Sequence, residues 1–118
     1  MAVENTSVEI RDDREHGKLV AHEDGTAAGT VAYFAMYPAP GALVPVHTVV
    51  KPAYEGKGIA GALAREFYAM AAREGVPVVP LCPYVAKWAL RHPEQAPEAP
   101  EELVREARRQ LESHPELL

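Results

Sequence analysis

The hydrophobic pattern of this chain changes period once, across a glycine-rich stretch. Before residue 51 the apolar residues come in short runs, alternating or rich in β-branched and aromatic side chains, as in strands. After residue 57, Ile59, Leu63, Phe67 and Met70 recur at helical spacing. A chain of this kind builds its sheet first and lays a helix across it afterwards.

The strand region is divided by turns. Residues 6–11 alternate and predict a first strand. Residues 18–23 (KLVAHE) predict a second, closed by Asp24-Gly25, a strong hairpin signal. A third runs from about 29 to 37 (GTVAYFAMY) and meets the turn PAPG at 38–41. A fourth covers about 43–50 (LVPVHTVV). Short connections between consecutive strands predict a four-strand antiparallel meander. Pro45 cannot donate to a ladder, so an edge or a bulge is expected in the fourth strand.

The apolar stripe predicts a helix over 57–74, ended by Gly75. The run VPVVP at 76–80 is continuously apolar and reads as a buried fifth strand. A right-handed crossover would lay it parallel to the fourth. Pro83 opens a further helix with Val85, Trp88 and Ala89 on one face, stopped by His92-Pro93. Residues 93–100 form a linker rich in Pro and Glu. A last helix is expected from Pro100, at the first helical position, to about Glu112. Glu101 and Glu102 suit its positive end and Arg108 and Arg109 its negative end. Leu103, Val104, Ala107 and Leu111 give it an apolar stripe, for packing on the domain or for a partner. The expected fold is α/β (α+β) with a mixed sheet. Residues 1–94 form the domain, and 95–118 a linker and C-terminal amphipathic helix.

A length of 118 residues fits one domain. The net charge is −5, with nine basic and ten acidic residues in 1–93 against three and seven in 94–118. The acidity therefore belongs mostly to the tail, and the balance argues against a nucleic-acid binder, which needs a basic face. A single cysteine, Cys82, makes no internal disulfide, and no CxxC pair is present. No basic region precedes an apolar core in the opening residues, and no apolar run nears the roughly 20 residues that span a bilayer. The expectation is a cytoplasmic protein without membrane association.

The stretch EGKGIAG (55–61) lies between the fourth strand and the long helix. Glycines there let backbone N–H groups approach an anion, and a helix N-terminus favours negative charge. This is a phosphate or pyrophosphate site by physics; a plain strand-to-helix turn explains the same spacing. Gly56, Gly58 and Gly61 match G-x-G-x-x-G formally. A dinucleotide fold would place that match near the start of a parallel sheet and an acidic residue after the next strand, where Leu81-Cys82 stand here. The phosphate-loop pattern G-x-x-x-x-G-K-[ST] is absent.

The meander, the strand end VVKP, the loop EGKGIA, the helix and the buried run after it together resemble the GCN5-related N-acetyltransferase superfamily. HTVV at 47–50, LCPYV at 81–85 and RHPE at 91–94 resemble its small single-domain branch, over residues 6–94. In the superfamily the loop usually reads Q/R-x-x-G-x-G/A and wraps the pyrophosphate of coenzyme A. Here Glu55 stands at the first position, and Gly58 and Ala60 match the later ones. The resemblance implies acetyl-CoA bound by Val49, Val50, Glu55, Gly56, Lys57, Gly58, Ile59, Ala60 and Gly61. It implies acetyl transfer to a primary amine, on a small molecule or a protein lysine. Many relatives carry an acidic residue where this chain has Val49, so no general base stands at that position.

Three residues are candidates for the chemistry. Cys82 should lie at the N-cap of the helix opened by Pro83, where the positive helix end favours a thiolate. The resemblance puts it near the thioester, whereas by packing alone it is a small buried hydrophobe. His47 could take a proton at neutral pH, or be a core histidine bonded to a carbonyl. By alternation it should face away from Val46 and Thr48. Tyr84 could protonate the leaving thiolate, or merely pack. Direct transfer is expected, with an N–H near Val49 or Val50 holding the oxyanion. Covalent transfer through Cys82 and a non-enzymatic acyl-CoA binder are the alternatives. His92 is expected to cap its helix, and His16, His22 and His114 to lie on the surface. Cys82, His47 and His92 lack metal-ligand spacing, and no metal is expected.

Overall fold

A computed structural model describes residues 8–118. Four strands form an antiparallel sheet in the order β1 (Val8–Asp13), β2 (Lys18–Glu23), β3 (Thr26–Ala35) and β4 (Leu43–Val50). Helices α1 (Ile59–Glu74), α2 (Pro83–Arg91) and α3 (Glu101–Leu111) follow. Residues 6 and 7 of the expected first strand lie outside the described residues. β3 starts three residues before its expected start, because the Asp24-Gly25 turn pairs Thr26 directly with Glu23. It ends two residues early, because the Tyr37 N–H goes to Gln110 Oε1 at 2.8 Å. Helix α1 begins at Ile59 rather than 57, since Gly56 and Gly58 have φ of 82° and 79°, outside the helical region. Pro100 caps α3 instead of occupying its first helical position.

The expected fifth strand is reduced to one parallel bridge, Leu43–Val78. The reason is chemical. Leu43 donates to the Pro77 carbonyl and Val79 donates to the Leu43 carbonyl, both at 3.0 Å. The next rung of a parallel ladder needs an N–H at residue 45, and proline has none. Beyond the missing rung, Leu81 and Cys82 both donate to the Pro45 carbonyl, at 3.1 and 2.9 Å, and the chain turns into α2.

The bulge expected near Pro45 is present. The β3–β4 register shifts between Ala32 and Tyr33, leaving Val46 as the extra residue. Val46 and His47 therefore share a face, contrary to simple alternation, while Thr48 lies on the other. The bulge also decides where β4 points its donors. Lys51 donates to the Ala28 carbonyl at 2.9 Å. Antiparallel residues alternate between bonding a given neighbour and not. Counting back from Lys51, Val49 and His47 direct their N–H groups to β3, and Thr48 and Val50 direct theirs away from it.

Apolar clusters cover both faces of the sheet. One joins Leu19, Val31 and Tyr33 to Leu63 and Phe67 of α1 and to Val85 and Trp88 of α2. Gly29 permits the close approach of α1: a Cβ there would stand 3.0 Å from Ile59 Cγ2 and 3.2 Å from the Val49 carbonyl. The second cluster packs Phe34, Val44, Val46 and Val79 against Ala107, Leu103, Val104 and Leu111 of α3, and takes in Leu117 beyond it. The apolar stripe of α3 thus packs on the domain. Gln110 adds a clamp, with its amide also donating to the Tyr37 carbonyl at 2.8 Å.

Tyr33 and Tyr68 make stability depend on pH. Burial pushes the Tyr68 phenol up to about 12. Burial raises Tyr33 too, helped by its hydrogen bond to the Asp12 carboxylate. In the unfolded chain both ionise near the ordinary value of about 10. Their contribution is intact below that value and is lost as pH rises through the folded values. Unfolding midpoints should therefore fall between about pH 10 and 12, and fall less in a Tyr68→Phe variant. Absorbance titration should show two of the five tyrosines resisting ionisation until the fold opens.

Candidate functional site

The turn from β4 into α1 presents backbone donors without helical partners. Gly58 is the N-cap, and a glycine offers no side chain to cap the first turn. The first intrahelical bond runs from Ala62 to the Gly58 carbonyl. The N–H groups of Ile59, Ala60 and Gly61 therefore lack helical partners and point out at the positive end of a 16-residue helix. A Cβ at Gly56 or Gly58 would meet nothing within 4 Å, so these glycines serve a positive φ beside open space.

A cleft of about 190 Å³ lies there, lined by Val50, Tyr54, Glu55, Gly56, Gly58, Ile59, Ala60, Gly61 and Tyr84. Of the residues expected to bind a cofactor, Lys57 and Val49 do not line it. Lys57 reaches back to Glu23 at 3.1 Å and lies over the Tyr54 ring. Val49 is 62% exposed and shares the opposite sheet face with its partner Thr30. Glu55 is exposed at the rim. The arrangement fits a pyrophosphate, which takes its bonds from backbone N–H groups rather than from a basic side chain.

Cys82 is the N-cap of α2, as expected, and is 2% exposed. Its Sγ lies 3.2 Å from Thr48 Oγ1, on the α1 side of the sheet. Tyr84, the second residue of α2, directs its hydroxyl at the glycine turn, 3.6 Å from where a Gly61 Cβ would stand. Cys82, Thr48, Tyr84 and the cleft therefore gather on one face, at the point where β4 parts from residues 77–82. His47 is elsewhere. It lies on the α3 face, with Nε2 donating to the Leu117 carbonyl at 2.6 Å.

Thr48, beside Cys82, and Tyr54, in the cleft wall, are candidate residues that sequence reasoning missed. Thr48 was hidden behind its neighbour His47, and a proline-induced bulge decides which of the two faces the thiol. Tyr54 belongs to a 3-10 turn, Pro52–Tyr54, that carries no periodic signal. Two histidines expected on the surface are half-buried: His22 has a fully enclosed Nδ1 and His114 stacks on Phe34 at 4.5 Å. His92 caps its helix as expected, bonded to the Trp88 carbonyl at 2.8 Å. Among the described residues no group of three or more His, Cys, Asp or Glu could hold a metal ion, and no helix is long and apolar enough to cross a membrane.

The strand, glycine turn and helix, with the parting of β4 from the following segment, form one cleft that opens onto unpartnered backbone N–H groups. Residues 18–97 match the family of GCN5-related N-acetyltransferases, and the chain belongs to that family. A solved structure similar to this one is a ribosomal-protein-alanine N-acetyltransferase from Brucella melitensis biovar Abortus 2308, 30% identical with a TM-score of 0.50. The match covers 70% of this chain and 62% of that one. No curated protein sequence matches. β1 and nearly all of the tail lie outside the family match.

Burial of Cys82 has a measurable consequence. Ellman's reagent should leave the thiol nearly unmodified over minutes in the native protein and titrate one thiol per chain in guanidinium. Rapid native labelling would show that the gap opens without unfolding.

Proposed function

We propose that this chain binds acetyl-CoA at the glycine turn and transfers the acetyl group to a primary amine. The observation that carries the reading is the unpartnered N–H row of Ile59, Ala60 and Gly61 opening into the cleft beside Val50. Family membership supports the choice of donor. Acetyl-CoA would supply the acetyl group as a thioester. The N–H groups of residues 59–61 hold the pyrophosphate, and those of Thr48 and Val50 face the gap where the thioester arm would lie.

In direct transfer the neutral amine attacks the thioester carbonyl, forming a C–N bond as the C–S bond breaks. The Val50 N–H is aimed to hold the carbonyl oxygen as charge develops on it. Tyr84, with its hydroxyl at the cleft, is placed to return a proton to the departing thiolate. His47 is the candidate base that takes the proton of an ammonium acceptor before attack, and the proton the nitrogen loses on C–N bond formation returns to the Tyr84 oxygen that has protonated the thiolate. In a second route the Cys82 sulfur, 3.2 Å from the Thr48 hydroxyl, takes the acetyl group as the coenzyme A thiol leaves, and the amine then displaces the cysteine thiol. The acceptor is an amine of a small molecule or a protein lysine, and a cytoplasmic location suits either.

Ala60→Asp tests the cleft. An acidic residue at the second helical position suits the helix dipole, so the fold should persist, while the new charge opposes a pyrophosphate. Calorimetric titration with acetyl-CoA should give micromolar-range binding, weakened at least about tenfold in the variant. Unchanged affinity would place the ligand elsewhere.

Turnover separates the routes. With primary amines as acceptors, Cys82→Ala should retain activity if transfer is direct, and lose it with acetyl-CoA binding intact if the cysteine is acylated. Binding without turnover on any amine would leave a non-enzymatic acyl-CoA binder.

A further inference from the structure

His47 and Thr48 are adjacent in sequence and serve opposite faces. Thr48 meets Cys82 on the α1 side, while His47 meets the C-terminal segment on the other. That segment, the 3-10 turn Pro115–Leu117, lies beyond the family match and is held by burial of the Leu117 side chain among Phe34, Val44 and Val46. Its carbonyl at Leu117 accepts the His47 Nε2–H at 2.6 Å. A carbonyl cannot donate, so this contact fixes the tautomer: Nε2 carries hydrogen and Nδ1 keeps its lone pair. Among the described residues Nδ1 has no protein partner. The ring borders an open groove of about 580 Å³ between the Arg14–His16 turn and the C-terminal segment, floored by Ala32 and Phe34.

We infer that Leu117 is a positioning residue for His47, and that the groove is the side from which the acceptor amine arrives. This rests on the acetyltransferase reading above. An ammonium acceptor passes one proton to Nδ1, becoming a neutral amine as the imidazole becomes imidazolium. The imidazolium keeps its Nε2–H bond to the Leu117 carbonyl, which holds the ring in place. The ionic groups facing the groove are Arg14, Glu15, His16 and Lys18 from one wall and His114 and Glu116 from the other.

The test uses the full chain with Leu117→Asp, which puts a carboxylate into the apolar cluster and lifts the segment from His47. NMR should show a His47 Nε2–H resonance protected from solvent exchange in the natural chain and lost in the variant, with the Tyr37–Gln110 region unchanged. Absence of that resonance in the natural chain, or its persistence in the variant, overturns the positioning role. Turnover of acetyl-CoA with spermidine and with Nα-acetyl-lysine amide gives the second readout. Leu117→Asp should lower kcat at least about tenfold with acetyl-CoA affinity unchanged, and should add nothing in a His47→Gln background. An equal loss in both backgrounds would mean the segment acts structurally, and the proposal fails. If acetyl-CoA binds but neither amine is acetylated, the proposal fails and the binding reading stands. If acetyl-CoA does not bind, both fall together.

Discussion

Pro45 has no N–H to give, and much of the site's layout follows from that. The parallel pairing of β4 with residues 77–82 starts normally at Leu43, skips the rung that residue 45 would have supplied, and ends on the Pro45 carbonyl. One residue later Val46 bulges out of the register with β3. The two irregularities act together. The first releases the neighbouring segment, and the second turns the N–H groups of Thr48 and Val50 toward the space it leaves. A fully paired β4 would have spent those donors within the sheet.

The sheet then works as a partition. On the α1 side stand the glycine turn, Tyr84, Thr48 and the buried thiol of Cys82. On the α3 side stands His47, backed by the C-terminal turn. Gly29 sets how deeply α1 seats on the sheet, and so how near the helix N-terminus lies to the end of β4. The exposed Glu55 opposes an anion in the cleft, but it lies in high dielectric, where charges a few ångströms apart interact by about 1 kcal/mol. The backbone donors of Ile59, Ala60 and Gly61 converge at the helix N-terminus, where several N–H groups act on one anion together.

Much of this was legible in the sequence, because the strong signals are local. Asp24-Gly25 and PAPG mark turns whatever surrounds them, and the stripe Ile59, Leu63, Phe67, Met70 is buried as its spacing requires. The cleft lining was legible through the glycine spacing and a family resemblance. The fifth strand was misread for a reason visible only once its neighbour was known: VPVVP is apolar enough, but Pro45 sits in the other strand. The face of His47 was misread because a bulge breaks alternation without altering composition. The docking of Leu117 on the sheet was out of reach, since it joins residues 70 apart in sequence that share no pattern.

An unpaired pair of N–H groups at Thr48 and Val50 is also a strand edge. Edges of this kind recruit other chains, and natural sheets shorten, charge or cover them. Here the exposed length is about two donors, set back where the sheet parts, with Tyr84 and Tyr54 at the margin. A stretch that short cannot template a neighbouring strand of ordinary length, roughly five to six residues. The same shortness that suits one slender arm of a ligand therefore keeps the protein from zipping to its own copies. Extending the parting toward Leu43, by loosening the Leu43–Val78 bridge, would trade colloidal solubility for a wider opening.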